Sequence, residues 1–169
     1  ELIPSGETFS YRSNLLGLAE FTLSRKDPEY VGRAKEIQKA QKAIEAGNCP
    51  LDVVPELKTV MDAAHTRYPK VLGGWANIAN SYATKRYRSN LINWGMLPFL
   101  IDEGELPFKN GDYLFVPHIT EAVKNGAKEV EAYVVEGNAL KPFTLKLGEM
   151  TAEEREIILK GCLINYNRV

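Results

Sequence analysis

The chain has little cysteine, little net charge and no long apolar run. Its 169 residues include two cysteines, Cys49 and Cys162, which lie far apart and form no CxxC motif. So few cysteines exclude a disulfide scaffold and give no ground for a zinc site or a cysteine-ligated cluster within this chain. We expect two half-buried thiols in a reducing, cytoplasmic compartment.

Charge and hydropathy exclude further classes of protein. Lys and Arg number 21 and Asp and Glu 22, so the formal net charge is −1. This balance disfavours nucleic acid as the main partner, although a local basic patch is compatible with it. The longest apolar stretch, residues 95–101, is far shorter than the ~18 residues of a membrane span. No signal peptide is visible.

Length and composition predict one globular domain over residues 1–169. Hydrophobic residues make up 44% and charged residues 25% of the chain, as in ordinary soluble domains. A chain of this size buries enough surface to form a core without disulfides or metals. Because the sequence begins with Glu1 rather than Met, we expect it to be a piece of a larger protein.

Familiar catalytic motifs are absent. There is no Walker-type phosphate loop and no GxGxxG after a strand. Neither His65 nor His118 lies beside a nucleophile motif, so we interpret both as structural. The acidic runs that begin at Asp102 and Glu153 are interpreted as solvated. Composition and spacing alone therefore identify no catalytic residue and no metal ligands.

Residue patterns predict helices interleaved with short strands. Asp27-Pro28-Glu29 starts a helix that ends at Gly47, and a weaker helix spans Val53 to Ala64. A buried strand is predicted over Trp75–Ala79, and Asn80-Ser81 is predicted to cap a helix that reaches Asn93.

The second half of the chain is predicted to be rich in strands. Strands are expected over residues 96–101 and 112–117, and a hairpin is expected to turn at Gly137-Asn138. Thr151 and Glu154 form a capping box for a last helix. Together these elements indicate an α/β domain with a mixed sheet.

Two sets of cations could bind an anion. Lys85, Arg86 and Arg88 crowd one predicted helix near Tyr87, which suits phosphate or RNA. The same pattern also fits a solvated face with Arg stems packed on Tyr. Arg12 lies in a loop-like stretch between hydroxyl groups, where a guanidinium can meet a carboxylate through two parallel hydrogen bonds.

Several segments together resemble the aconitase superfamily. Gly73–Phe99 is similar to the family's strand, its helix bearing Ser-Phe-Ala-Arg-Ile-His-x-x-Asn-Leu, and the Gly-x-Leu-Pro-Leu that follows. Leu2–Gly6 is similar to the residues after the family's Thr-Thr-Asp signature, and Phe9–Leu16 resembles its Tyr-Arg-Gly-His-Leu segment. Thr151–Tyr166 looks like the closing helix. The resemblance covers most of the chain apart from the helical insertion between Asp27 and Ala64.

The resemblance implies a C-terminal swivel domain of three β/β/α layers that closes over cluster-bearing domains. Those domains would hold a 4Fe–4S cluster whose free iron acts as a Lewis acid in the loss or addition of water. They would belong to the same chain or to a separate subunit. By the same resemblance, Arg12 matches the family's substrate-binding Arg, and Ser5 lies near its substrate-facing turn. No cofactor is expected on this chain itself.

Two departures from the family pattern bear on activity. The Thr-Thr-Asp signature would fall just before Glu1. The Gly-Ser-x-Arg-Glu loop, which would supply a serine base and a second Arg, is missing, because Tyr68–Val71 leads straight to Gly73. Either the protein has lost this loop or the chain omits it. The isolated chain is therefore expected to be inactive.

Three hypotheses follow. The first is a domain that binds the carboxylate of a hydroxy acid within an aconitase-like hydro-lyase, using Arg12 and Ser5. The second is a non-catalytic module that binds phosphate or RNA through the Lys85–Arg88 helix. The third is a structural domain with no retained site, which fits the missing loop. The sequence identifies neither the hydroxy acid nor the oligomeric state.

Overall fold

A computed structural model describes residues 6, 8–11, 13–63 and 76–168. These residues divide into two compact units, one up to Pro55 and one from Glu56 onward. The expectation of one domain over residues 1–169 stays a prediction. Among the described residues, no helix is both long enough and apolar enough to cross a membrane.

The first unit is helical. A 3-10 turn at Phe9–Tyr11 precedes helix α1 (Leu15–Ala19) and the long helix α2 (Tyr30–Glu45), and a second 3-10 turn covers Pro50–Asp52. The start of α2 confirms the signal read at Asp27-Pro28-Glu29. Gly47, at φ +76, follows its end, as the sequence predicts.

In its described residues, the second unit combines a sheet with five helices. The helices are α3 (Leu57–Ala63), α4 (Lys85–Asn93), α5 (Ile119–Asn125), α6 (Ala152–Leu159) and α7 (Leu163–Tyr166). The strands are β1 (Ala76–Ala79), β2 (Leu97–Leu100), β3 (Tyr113–Phe115), β4 (Glu129–Glu136) and β5 (Ala139–Lys146). Their order in the sheet is β1-β2-β5-β4-β3.

The sheet is mixed, which confirms the predicted α/β class. β1 and β2 run parallel, with Ala76 opposite Leu97, whereas every other neighbouring pair is antiparallel. β4 and β5 pair along their full length across the turn at Gly137-Asn138, so the predicted hairpin is confirmed. β2 and β5 share a single registered pair, Leu100 with Lys146.

Pro98 lies within β2 without breaking its pairing to β1. The Ile101 N–H donates to the Ala79 carbonyl at 3.0 Å, so in β2 the backbone N–H and C=O groups of the odd-numbered residues point toward β1. The backbone nitrogen of Pro98 therefore points toward β5. There the pairing of β2 with β5 is only beginning, and the N–H that proline lacks is not required. For this reason the proline is compatible with a strand that has neighbours on both sides.

The core of the second unit lies between the sheet and helices α4, α5 and α6. Its most deeply buried members come from β2, β4, β5 and the residue after β5, and from helices α4, α5 and α6: Ile92, Phe99, Val123, Ala132, Leu145, Leu147 and Ile157. Val130, Ala132 and Val134 are buried in alternation along β4, as the period-two pattern predicts.

Two glycines bring α4 and α6 together. Gly95, at φ +73, ends α4 in a Schellman motif, in which the Gly95 and Met96 N–H groups donate to Ile92 and Leu91 carbonyls at 2.8 Å. A Cβ on Gly95 would overlap the carbonyl oxygen of Gly161, which follows the end of α6. The two backbones can approach this closely only because no side chain lies between them.

Two details differ from the sequence prediction. Thr84, not Asn80 or Ser81, caps α4, since its hydroxyl accepts the Tyr87 N–H at 3.1 Å. The described strand β1 is half-exposed rather than buried, because it lies at the edge of the sheet.

The capping box at the start of α6 is confirmed. The Thr151 N–H donates to the Glu154 Oε2 at 2.9 Å, and the Glu154 N–H donates to the Thr151 hydroxyl at 3.1 Å.

Candidate functional site

The carboxyl ends of β1 and β2 form the most site-like edge of the second unit. These strands are parallel and joined by α4, so both ends open on the same side, where the start of α4 also lies. In open α/β sheets, ligands bind beyond the carboxyl ends of parallel strands. The segment from Asn80 to Thr84 occupies this edge.

Two side chains fasten this segment to the strands. The Asn80 Nδ2 donates to the carbonyls of Ile101 and Asp102 at 3.2 and 3.1 Å. The Tyr82 hydroxyl lies 2.8 Å from the Phe99 carbonyl and 3.1 Å from the Asn77 carbonyl, so its one proton is shared between them. The loop is thus held to both strands by side chains.

We expect Tyr82 to make stability fall at high pH. Burial raises the pKa of its phenol from the ordinary 10.0 to about 12, Tyr87 adds to this rise, and Arg88 opposes it. The unfolded chain therefore releases this proton first, so the free energy of unfolding declines as pH rises from about 10 to about 12. In Tyr82→Phe this decline in the free energy of unfolding should be absent.

Urea unfolding of both chains, followed by tryptophan fluorescence from neutral pH to about 12, measures this effect. The stability advantage of the native chain over Tyr82→Phe should be constant below pH 10 and shrink above it. Other tyrosines titrate equally in both chains, so the comparison removes them. An advantage that stays constant across the range would contradict the assignment.

A charged pair lies beside the same edge. The Lys146 Nζ donates to the Asp102 Oδ1 at 2.6 Å, and this hydrogen bond raises the pKa of Lys146. Asp102 is largely exposed, so the pair stabilises the fold little. It does connect the loop after β2 to the last residue of β5.

The three cations of α4 do not act alike. Arg88 is half-buried and donates to the Glu154 Oε1 at 3.1 Å and to the Glu149 carbonyl at 2.7 Å. It joins α4 to the start of α6. Lys85 and Arg86 are exposed. Only these two cations of the predicted phosphate-binding group therefore stay open to a ligand.

Removal of Arg88 should destabilise the second unit. In Arg88→Met the apolar stem is retained, but Glu154 and the Glu149 carbonyl lose a charge-assisted donor, at a cost of about 1–3 kcal/mol. Arg86→Met on the same helix should change stability by less than about 0.5 kcal/mol. Urea unfolding at neutral pH measures both, and equal effects would show that the contacts of Arg88 contribute no stability.

The sequence-predicted substrate residues, Arg12 and Ser5, lie outside the described residues, as does His65. Of their neighbours, Tyr11 packs on Phe21 with ring centroids 5.2 Å apart. His118 belongs to the described residues. It is exposed, precedes α5 and has a φ of +52. Its Nδ1 lies 3.6 Å from the Glu121 Oε2. Among the residues that the structure describes, no nucleophilic side chain is hydrogen-bonded to His118.

The part of the chain that the structure describes contains no candidate metal site, because no three His, Cys, Asp or Glu side chains lie close together there. Cys49 is exposed and Cys162 is partly buried, and both are free thiols.

The sequence analysis did not predict that the side chains of Asn80 and Tyr82 hydrogen-bond the loop to the strands. It assigned Asn80 to a helix cap instead. An Asn-Ser-Tyr run directly after a short strand was the available signal.

Neither the models of known protein families nor the curated proteins compared with this chain match it.

Proposed function

We propose that the chain is the swivel domain, in three β/β/α layers, of an aconitase-like iron–sulfur hydro-lyase. In this function Arg12 binds one carboxylate of a hydroxy acid, and Ser5 contributes a hydroxyl beside it. Cluster-bearing domains, in the same chain or in a separate subunit, complete the enzyme in the cytoplasm. The isolated chain is inactive.

The observation that carries this proposal is the β1–α4–β2 unit. The resemblance of Gly73–Phe99 implies a strand, a helix and then a Gly-x-Leu-Pro-Leu segment, and the residue pattern predicts that this last segment is a strand. The described part of this block, from Ala76 onward, has this order, with its two strands parallel. Asn80 and Tyr82 hold its carboxyl edge, which supports a ligand-binding role for that edge.

The cluster itself does not fit this chain. Two cysteines are fewer than the three thiolates that the family uses, and Cys49 is exposed on the surface of its unit. The proposal therefore assigns the cluster to the remainder of the enzyme. The part of this chain is to bind and orient a carboxylate, for which a guanidinium supplies paired N–H donors.

Arg12→Lys tests this function. In the complete enzyme with its cluster assembled anaerobically, we expect KM for the hydroxy acid to rise roughly tenfold or more. Lys keeps the charge but loses the planar fork, which removes one charge-assisted hydrogen bond. The ultraviolet absorbance of the unsaturated product measures turnover, and the visible absorbance of the cluster checks its content.

Arg86→Lys is the matched control, because it makes the same chemical change at an exposed site on α4. Its KM should equal that of the unmodified enzyme. An unchanged KM and kcat in Arg12→Lys, with full cluster content, would remove Arg12 from the site. Hydro-lyase activity that is absent from the complete, cluster-loaded protein would overturn the proposed function as a whole.

A second function is favoured by one observation. Lys85 and Arg86 are exposed cations in the first turn of α4, where the helix dipole favours anions rather than cations. A phosphate- or RNA-binding module would use them. Its affinity would fall steeply with salt, and Arg86→Met would weaken it, whereas carboxylate binding through Arg12 would be indifferent to Arg86→Met.

A further inference from the structure

A cleft lies where α5, β4, β5 and α6 meet. Its volume is 310 Å³. It is lined by the C-cap of α5, the lead into β4, the connection from β5 to α6, and α6 itself: Gly126, Ala127, Lys128, Gly148, Glu149, Met150 and Arg155. These residues come from three separate parts of the chain, so only the folded unit contains the cleft.

The guanidinium of Arg155 is the principal polar group of the cleft. It is half-buried, and its Nη1 donates to the Met150 carbonyl at 2.9 Å. No carboxylate in the described ranges forms an ion pair with it, in contrast to Arg88 on the neighbouring helix. Arginine is seldom buried without an acidic partner. Four of its five N–H donors are left without an acceptor among the described residues.

Glycine allows the main chain to approach this guanidinium. Gly126 is left-handed at φ +68, and a Cβ there would lie 3.3 Å from the Arg155 Nη1 and 3.5 Å from its Cζ. Gly148, also at φ +68, lines the cleft without a side chain. Any larger residue at these positions would occupy part of the space beside Arg155.

The charge of the cleft is positive. Lys128 contributes a second cation, and its Nζ lies 3.9 Å from the Glu149 Oε1. Both of these side chains are largely exposed, so their pairing is weak and either can turn toward a ligand. Two cations against one carboxylate leave an excess of one positive charge.

We propose that this cleft binds a small oxyanion, a phosphate or carboxylate group whose adjacent oxygens accept from Arg155 and whose charge is balanced by Lys128. The cleft shares no lining residue with the segment from Asn80 to Thr84 or with the cations Lys85 and Arg86. It is independent of the proposed hydro-lyase function, since it uses neither Arg12 nor a cluster.

The test is an NMR titration of the full chain with inorganic phosphate and, separately, with malonate, at constant ionic strength. We expect saturable shifts of the Gly126, Lys128 and Gly148 amides and of the Arg155 side-chain Nε–H. The tighter of the two probes distinguishes a phosphate site from a carboxylate site. Arg155→Lys should weaken binding by about tenfold or more, because it loses the planar fork.

Lys124→Gln is the matched control: it removes an exposed cation of α5 that does not line the cleft, and its affinity should equal that of the native chain. Lys128→Gln, at an exposed position that does not threaten folding, should weaken binding severalfold even if Arg155→Lys fails to fold. Shifts that never saturate, that lie elsewhere, or that persist unweakened in the Arg155 and Lys128 variants would overturn the proposal.

Discussion

Gly95→Ala should unfold the second unit or bring it close to unfolding. The added Cβ would overlap the carbonyl oxygen of Gly161, and both partners are backbone, so neither can rotate away. The residue must also keep φ +73, which costs alanine about 1 kcal/mol more than glycine. We expect a loss of about 4 kcal/mol or more, a large fraction of the 5–15 kcal/mol typical of a domain.

Gly137→Ala separates the two causes of this loss. Gly137 also has a positive φ, +59, in the same unit, but a Cβ there meets nothing within 4 Å. It should therefore cost only the conformational penalty of about 1 kcal/mol. Urea unfolding followed by circular dichroism gives both values. If the two variants lose equal stability, the close approach of Gly95 to Gly161 is not a constraint in solution.

Leu145→Ala should strongly destabilise the second unit. Leu145 is fully buried on β5, opposite Val130, and faces the cluster that includes Ile92 and Val123. Loss of its methyl groups and the cavity left behind should cost about 2–5 kcal/mol.

Leu106→Ala is the control, since that side chain is 49% exposed and its truncation should cost well under 1 kcal/mol. Thermal and urea unfolding measure both variants. Similar losses at the two positions would mean that the sheet is not packed around Leu145.

Elements with a local cause were predictable from the sequence. The hairpin at Gly137-Asn138 follows from alternation on both sides of a turn pair, and the capping box follows from the spacing of Thr151 and Glu154. The sequence likewise predicts β1, α4 and β2, because an apolar run, a helical face and a terminating glycine occur in order.

Elements that depend on tertiary contacts were not predictable. Helix α5 is only seven residues long and starts at a left-handed His118, so no capping residue marks it. Thr84 rather than Asn80 caps α4, and the Asn80 side chain donates instead to backbone carbonyls twenty-one and twenty-two residues away. Sequence spacing carries no information about partners at that distance.

The candidate site was predictable only in part. The block that contains Asn80 and Tyr82 was singled out by its resemblance to a known family, but the hydrogen bonds of these residues were not predicted. Arg88 was grouped with Lys85 and Arg86, although its partner Glu154 comes from a helix sixty-six residues later. The roles of Arg12 and Ser5 stay predictions, and Arg155 carried no sequence signal, because its environment is made by folding alone.

The narrow junction between β2 and β5 has a consequence for how the sheet opens. Leu100 and Lys146 form the single residue pair between β2 and β5, whereas β4 and β5 are joined by eight residue pairs. Cohesion across the junction therefore depends mainly on the core that both sides share and on the contact of α4 with α6, where Arg88 donates to Glu154. Opening of the ladder at this junction separates β1, α4 and β2 from β3, β4 and β5, so the amide protons of these two groups should exchange as two separate sets.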